Sequence, residues 1–309
     1  MYFYLPVALT SINIFIPVGI GLAVGLLLGL FGVGGGFLIT PLLIMFGIPS
    51  TVAAATGLNQ IVGASTSGTY AHWRVGNVDF KMGFHLLSGG FIGGLFGVHA
   101  IKILRAMGNA DFAIKMTYVL MLGIVGTYMF IESIQSMRKK KVEKVEEVKP
   151  ERKSGISGFL KSLPLQTYYE KSGVTHSALV PIILGVFVGI LAAIMGVGGG
   201  FLMVPVMIYM LRIPMHVMVG TSLFQILFIC IEVTFLQAYI NHTVDFILSV
   251  LLLLGSTIGA QIGVVFNRRL KTEQLKILLA SIVLAVTVKI ILELTLTPSL
   301  LLSQAGGHG

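Results

Sequence analysis

Charge is scarce in this chain: Asp, Glu, Lys and Arg make up 11% of its 309 residues, against 55% hydrophobic. An ordinary soluble domain carries about a quarter charged residues, so that class is excluded. Cysteine is nearly missing. The single Cys230 lies in an apolar stretch, which leaves neither a disulfide framework nor a thiolate metal site. Alternating ten-residue runs of the kind that build membrane barrel strands are absent. The opening "MYFYLPVALTSIN" has no Lys or Arg ahead of its apolar run and no small-residue cleavage site behind it, so a removable signal peptide is not expected. The net charge of +9 does not indicate a nucleic-acid partner, because the basic residues gather at segment ends and in one central run. No cofactor is expected.

What is abundant is apolar sequence, with a mean hydropathy of +0.95. A helix needs about 20 mainly apolar residues to cross a bilayer. Runs of that character fall near 14–31, 37–48, 51–72, 81–101 and 113–134, then 177–195, 201–212, 216–240, 244–266 and 274–297. The expected fold is an all-α polytopic membrane protein, with about 8–10 transmembrane segments in two homologous five-segment repeats. Residues 1–134 form the first repeat, 135–176 a charged linker and 177–309 the second.

The repeats align residue by residue. Gly32 to Gly36 match Gly196 to Gly200, and Pro41 matches Pro205, at an offset of 164. One added residue gives 165, which pairs Thr56 with Thr221 and Gln60 with Gln225; a further one gives 166, which pairs Asp79-Phe80 with Asp245-Phe246. The run beginning Arg138-Lys139-Lys140-Lys141 is placed on the cytoplasmic side by the positive-inside rule, and Arg74, Lys81, Arg212, Arg268 and Arg269 join it if each half crosses five times. Lys102, Arg105 and Lys115 then stand on the wrong side. Five crossings per half invert one repeat relative to the other, as in many secondary transporters.

Each glycine cluster is followed by a segment of about 12 residues, or ~18 Å of helix, too short to cross ~30 Å of hydrocarbon. Irregular backbone at membrane depth is tolerated only where protein covers it or a wet cavity meets it. Two readings follow. The glycines let a ligand approach free amides at the start of the short helix, so that Gly34, Gly35 and Gly36 with Gly198, Gly199 and Gly200 seat an anion; or they only allow close helix contact. The pattern is not a nucleotide loop, since no strand precedes it and no Gly-Lys-Ser/Thr ends it.

Polar groups downstream extend the candidate site. Thr56, Asn59 and Gln60 in "TGLNQ" and Thr221, Ser222 and Gln225 in "TSLFQ" stand about two turns into long segments, offering neutral donors to an oxyanion or interhelical hydrogen bonds for packing. Glu232 is the single acid well inside a segment and is the candidate proton carrier; the alternative is a carboxyl paired with a neighbouring hydroxyl or histidine. Lys289 and Glu293, spaced i, i+4, read as a pair. Arginine is absent from the segment interiors, which favours a singly charged substrate.

The doubled "GVGGGF" at 32–37 and 196–201 with Pro41 and Pro205, followed by "AATGLNQ" and "VGTSLFQ", resembles the sulfite exporter TauE/SafE family, related to toluene sulfonate uptake permeases. The likeness covers nearly the whole chain outside the central loop. It implies a prokaryotic inner-membrane permease, not an enzyme, for small sulfur-containing or organic anions such as sulfite, sulfonates or sulfoacetate; the expected partners are that anion, the lipid bilayer and a proton or other coupling ion. Alternating access by rocking of the repeats is the expected mechanism. One departure is internal: Asn59 is matched by Phe224, so the halves do not offer the same donors. Competing readings are a passive anion channel and an intramembrane hydrolase built on Ser65 or Ser67 with His72 or His85.

Overall fold

The first apolar run must stop where its glycines begin, and in the computed structural model it does. Residues 2–31, 35–139, 165–199, 203, 213–267 and 272–296 are described. A hairpin of β1 (Tyr2–Leu5) and β2 (Thr10–Asn13) leads into α1 (Phe15–Phe31), a 3₁₀ turn (Gly35–Leu38), α2 (Ile39–Met45), α3 (Ser50–Arg74), α4 (Phe80–Ala106) and α5 (Ala110–Lys139). The second half repeats the order with β3 (Gln166–Tyr169), β4 (Val174–Ser177), α6 (Leu179–Met195), α7 (Met215–Leu236) with a π-helical turn over Gln237–Asn241, α8 (Phe246–Asn267) and α9 (Thr272–Leu296). Pro49 and Pro214 directly precede α3 and α7, each with extended backbone, the conformation that feeds a helix without losing an internal hydrogen bond.

Two features differ from the expectation. The antiparallel hairpins were not foreseen, and the second occupies Gln166–Ser177, within the stretch read as linker. Helix α5 also continues to Lys139, past residue 134. The short segment at 201–212, apart from Met203, and most of the charged linker lie outside the described residues.

Phe80–Ala106, Val217–Asn241 and Phe246–Gly263 are long and apolar enough to cross a membrane, and Phe15–Leu27, Gly36–Met45, Leu179–Met195 and Ser281–Leu292 are shorter apolar helices. Helix α3 has the length but not the apolarity, because Thr56, Asn59, Gln60, Ser65, Thr66 and Ser67 stud its middle. Most of its first half is buried in the protein, where a polar helix in a bilayer belongs.

Glycine seams join the halves. A Cβ on Gly21 or Gly25 of α1 would fall inside the backbone of Leu252 or Ser256 of α8, and one on Gly255 or Gly259 of α8 would strike Val18 or Leu22 of α1. Helices α4 and α6 repeat this: Gly185 and Gly189 meet Leu86 and Gly90, while Gly89 and Gly93 meet Ile182 and Val186. In both seams the numbers rise together, so the paired helices are parallel. Small residues spaced by four bring backbones into contact along the seam, which is how helices associate without a hydrophobic driving force.

Helices α3 and α7 pack antiparallel. Gly220 near the start of α7 meets Asn77 beyond the end of α3, and Thr56 near the start of α3 meets Asp245 beyond the end of α7. With α8 antiparallel to α7 across their short connection, α1 runs parallel to α3 and α6 opposite to α1. The chain between α1 and α3 must therefore return across the molecule. It descends along α3, with Gly36 beside Ile61 and then Ile39 and Thr40 beside Gly57.

The insertion that moves the offset from 165 to 166 falls between Gln225 and Asp245, where the π-helical turn lies. A π turn admits one extra residue without ending the helix. Two of the three cations off the positive-inside pattern are engaged: Lys115 pairs with Asp111 at 2.9 Å, and Arg105 Nη1 donates to the Asn241 carbonyl at 2.5 Å.

Candidate functional site

The second glycine break shows what the glycines do. Gly196 takes positive φ (69°) and donates its amide to the Ala192 carbonyl at 2.9 Å, closing α6 with the left-handed cap that glycine favours. The Tyr118 hydroxyl of α5 donates to the carbonyl of Met195 just before it. Gly198 and Gly199 also have positive φ. A Cβ on Gly198 would sit 2.6 Å from Cys230 Sγ and 2.9 Å from Ile226 Cγ2, and one on Gly36 in the first break 2.5 Å from Ile61 Cγ1. Side chains cover these glycines closely, so Gly36, Gly198 and Gly199 serve tight turns and close approach. Gly35 opens the 3₁₀ turn. Gly34 and Gly200 lie outside the described residues. Helix α2 has only seven residues, with Leu38 at its start giving no side-chain cap. The expectation that amide dipoles at this break seat the anion therefore finds no support in the packing of Gly36, Gly198 and Gly199.

The polar side chains divide into two groups. Thr56 and Thr221 are committed to joining the halves: the Thr56 hydroxyl accepts the Asp245 amide at 3.1 Å and Thr221 accepts the Asp79 amide at 3.0 Å. Asn59 donates to Ser249 Oγ of α8 at 2.9 Å and to the Thr56 carbonyl at 3.4 Å. At the equivalent place in the other half, Phe224 fills the space over Gly83 and stacks edge-on with Phe80, Phe84 and Phe228. The divergence of Asn59 from Phe224 is thus compensated: a polar pair, Asn59 and Ser249, answers an aromatic on glycine, Phe224 and Gly83. Ser222 is buried.

Gln60 and Gln225 form the second group. They are 2% and 0% exposed, and among the described residues neither carboxamide has a hydrogen-bond partner at its oxygen or its nitrogen. Each stands ten residues past the first residue of its helix, ~15 Å along at 1.5 Å per residue, near half of ~30 Å of hydrocarbon. The Gln225 amide lies against the α4 backbone, 3.6 Å from where a Cβ on Gly90 would be. Leaving such groups unpaired costs about 1–3 kcal/mol each. Glu232 is half-buried on α7, its Oε2 facing Gly94 of α4 and without a hydrogen-bond partner among the described residues. Ser65 is buried, and His85 turns Nδ1 to the Lys81 carbonyl at 2.7 Å, one turn back on its own helix. The Glu293 side chain lies outside the described residues.

Sequence reasoning paired Asp79 with Asp245 but missed their role. Asp79 Oδ1 accepts the Met82 amide at 3.1 Å, capping α4, while Oδ2 accepts the Ser172 amide at 3.2 Å and its hydroxyl at 2.7 Å. Asp245 does the same for α8, taking the Leu248 amide at 3.1 Å and the Val7 amide at 3.2 Å. Each hairpin turn is thereby clamped to a helix of the other half. The signal was present in the Asp-Phe dipeptide recurring at each helix start, where Asp is a preferred cap.

The profile of the family described as sulfite exporter TauE/SafE matches residues 18–290. The chain belongs to the sulfite exporter TauE/SafE family. "Probable membrane transporter protein YunE" of Bacillus subtilis (strain 168) is 26% identical over 292 residues, covering 90% of this chain and 97% of that protein. "Probable membrane transporter protein YjnA" of the same organism is 29% identical over 272 residues, covering 88% and 97%. "Probable membrane transporter protein MJ0441" of Methanocaldococcus jannaschii is 24% identical over 286 residues, covering 85% and 90%. No solved structure matches the chain. The TauE/SafE match begins in α1 and ends in α9, so it takes in both glycine breaks and the α3–α7 pair. This TauE/SafE chain is therefore a multi-pass membrane transporter, with a small-molecule substrate and the lipid bilayer as its partners.

Proposed function

We propose that this transporter is a prokaryotic inner-membrane permease for small singly charged sulfur oxyanions or sulfonates, working by alternating access. The observation that carries the reading is the matched pair of buried carboxamides, Gln60 and Gln225, which stand at mid-depth on α3 and α7 and find no hydrogen-bond partner among the described residues. A carboxamide offers one donor group and one acceptor. Sulfonate oxygens accept from Nε2, and a protonated sulfite also donates to Oε1. A solute of that kind replaces the missing partners without a buried cation to hold it.

The packing bears on how access alternates. Rocking one whole repeat against the other tears both glycine seams and both aspartate clamps. Motion that keeps them intact divides the molecule differently: α1, α8 and the first hairpin move as one body, and α4, α6 and the second hairpin as the other. Thr56 ties α3 to the first body and Thr221 ties α7 to the second, so the boundary runs between α3 and α7, the helices that carry Gln60 and Gln225.

The test is sulfite uptake into proteoliposomes by the wild-type protein, Gln60→Leu and Gln225→Leu. Wild-type uptake that falls by an order of magnitude or more in the two leucine variants, with folding retained, is expected from losing a charge-assisted hydrogen bond of ~1.5–3 kcal/mol. Uptake untouched by both substitutions removes the carboxamide site.

A further inference from the structure

Next to each carboxamide in the chain stands a buried hydrocarbon side chain. Gln60 and Gln225 are each followed by isoleucine, and Ile61 and Ile226 are mates at the same offset of 165. Both are nearly buried, at 5% and 4% exposure. Ile61 touches the chain breaks of both halves: a Cβ on Gly36 would be 2.5 Å from its Cγ1, and one on Gly198 3.3 Å from its Cγ2. Ile226 packs on Gly198 in turn. Leu58, Ile229, Cys230 and Val233 close the cluster around them.

Because α3 and α7 are antiparallel and each isoleucine lies eleven residues past its helix start, both fall near mid-depth. An apolar constriction of this sort stops hydrated ions by excluding water from the gap. Glycine at the breaks is what lets a branched side chain seat directly on backbone, with no lining Cβ to hold the walls apart.

We infer that Ile61 and Ile226 form the midplane seal of the transport path, a dry plug that keeps small hydrated anions such as chloride from passing while the substrate is handled at Gln60 and Gln225. This rests on the permease reading above and assigns to these two side chains the difference between a carrier and an open anion pore. The barrier belongs to the pair, with Ile61 the larger share because it meets both breaks.

The experiment measures chloride influx into proteoliposomes with an entrapped chloride-quenched dye, alongside sulfite uptake in the same preparation. Ile61→Ala is expected to raise chloride influx roughly tenfold or more over wild type, Ile226→Ala less, and the double variant most. Leu122→Ala, fully buried on α5 in a separate hydrophobic cluster, is the control and should stay at the wild-type level. If Ile61→Ala does not fold, Ile61→Val and Ile226→Ala carry the comparison. Chloride influx at the wild-type level in the folded isoleucine variants overturns the seal, as does an equal leak through Leu122→Ala. Absence of sulfite uptake by wild type, with the isoleucine leak present, sinks the substrate reading and leaves the seal standing.

Discussion

Asp79 and Asp245 hold equivalent posts toward opposite ends of α3: each caps a helix, receives a backbone amide from the other half's hairpin turn, and donates its own amide to a threonine of the other half. The two are not equal. Asp79 also takes the Ser172 hydroxyl, and its surroundings are tied further by Lys81 to the Tyr168 carbonyl at 3.1 Å and Lys171 to the Gly76 carbonyl at 3.0 Å.

From this inequality, Asp79→Ala should cost more than Asp245→Ala. Each loses a cap and carboxylate hydrogen bonds, about 1–3 kcal/mol, and Asp79 loses one bond more. Thermal unfolding of the purified protein checks it: the apparent Tm should fall further for Asp79→Ala, and Ser172→Ala should account for part of the gap. Equal losses contradict the assignment.

Glycines within one helix should answer substitution in opposite ways. A Cβ on Gly19 of α1 meets nothing within 4 Å, whereas one on Gly25 runs into the backbone of Ser256. Gly19→Ala should be neutral or stabilise by ~0.5–1 kcal/mol, the ordinary gain at a helical glycine. Gly25→Ala should separate α1 from α8 and remove most folded monomer from a size-exclusion profile. By the same seam geometry Gly189→Ala should behave like Gly25→Ala.

The division into cross-half bodies predicts which covalent staples the transport cycle tolerates. In a Cys230→Ala background, Asp79→Cys with Ser172→Cys bridges the second hairpin to α4 within one body. Gly68→Cys with Leu223→Cys bridges α3 to α7 across the boundary, where a Cβ on Gly68 would lie 2.8 Å from Leu223 Cδ1. Oxidation should leave sulfite uptake by the first variant at its own reduced level and arrest the second, with reductant restoring it. Arrest in the first, or full activity of the oxidised second, contradicts the division.

Much of this was legible in the sequence because hydrophobic length and repeat register report directly on helices in a bilayer. The pairing of Gln60 with Gln225 was readable as an offset, and the inversion of the halves was an expectation from five crossings in each. The fate of the glycines was not, since a φ of 69° at Gly196 for a helix cap and free backbone for a ligand leave the same letter. Thr56 and Gln60 look alike as donors one turn apart; only packing shows that Thr56 is already engaged by Asp245 while Gln60 is not. The hairpins escaped notice because four-residue strands are too short for periodicity to separate from loop. Their placement depends on Asp79 and Asp245, far away in the chain.

Glu232 supplies the last prediction. Its position mate is Ser67, so the carboxyl exists in one half only, and its Oε2 sits against Gly94, about two helical turns past Gln225 on α7, with no hydrogen-bond partner among the described residues. On the proton-carrier reading, a carboxyl in a membrane segment with no cation partner among the described residues passes through the cycle in its neutral form, loading a proton on one side and releasing it on the other. On that reading Glu232→Gln, which keeps shape and neutrality but cannot exchange a proton, should still exchange labelled for unlabelled sulfite at equilibrium yet fail to accumulate it on an imposed pH gradient. Gly94→Ala, whose Cβ would fall 2.9 Å from Oε2 and so displace the carboxyl, should weaken accumulation while sparing exchange. Accumulation by Glu232→Gln at the wild-type level assigns the coupling elsewhere.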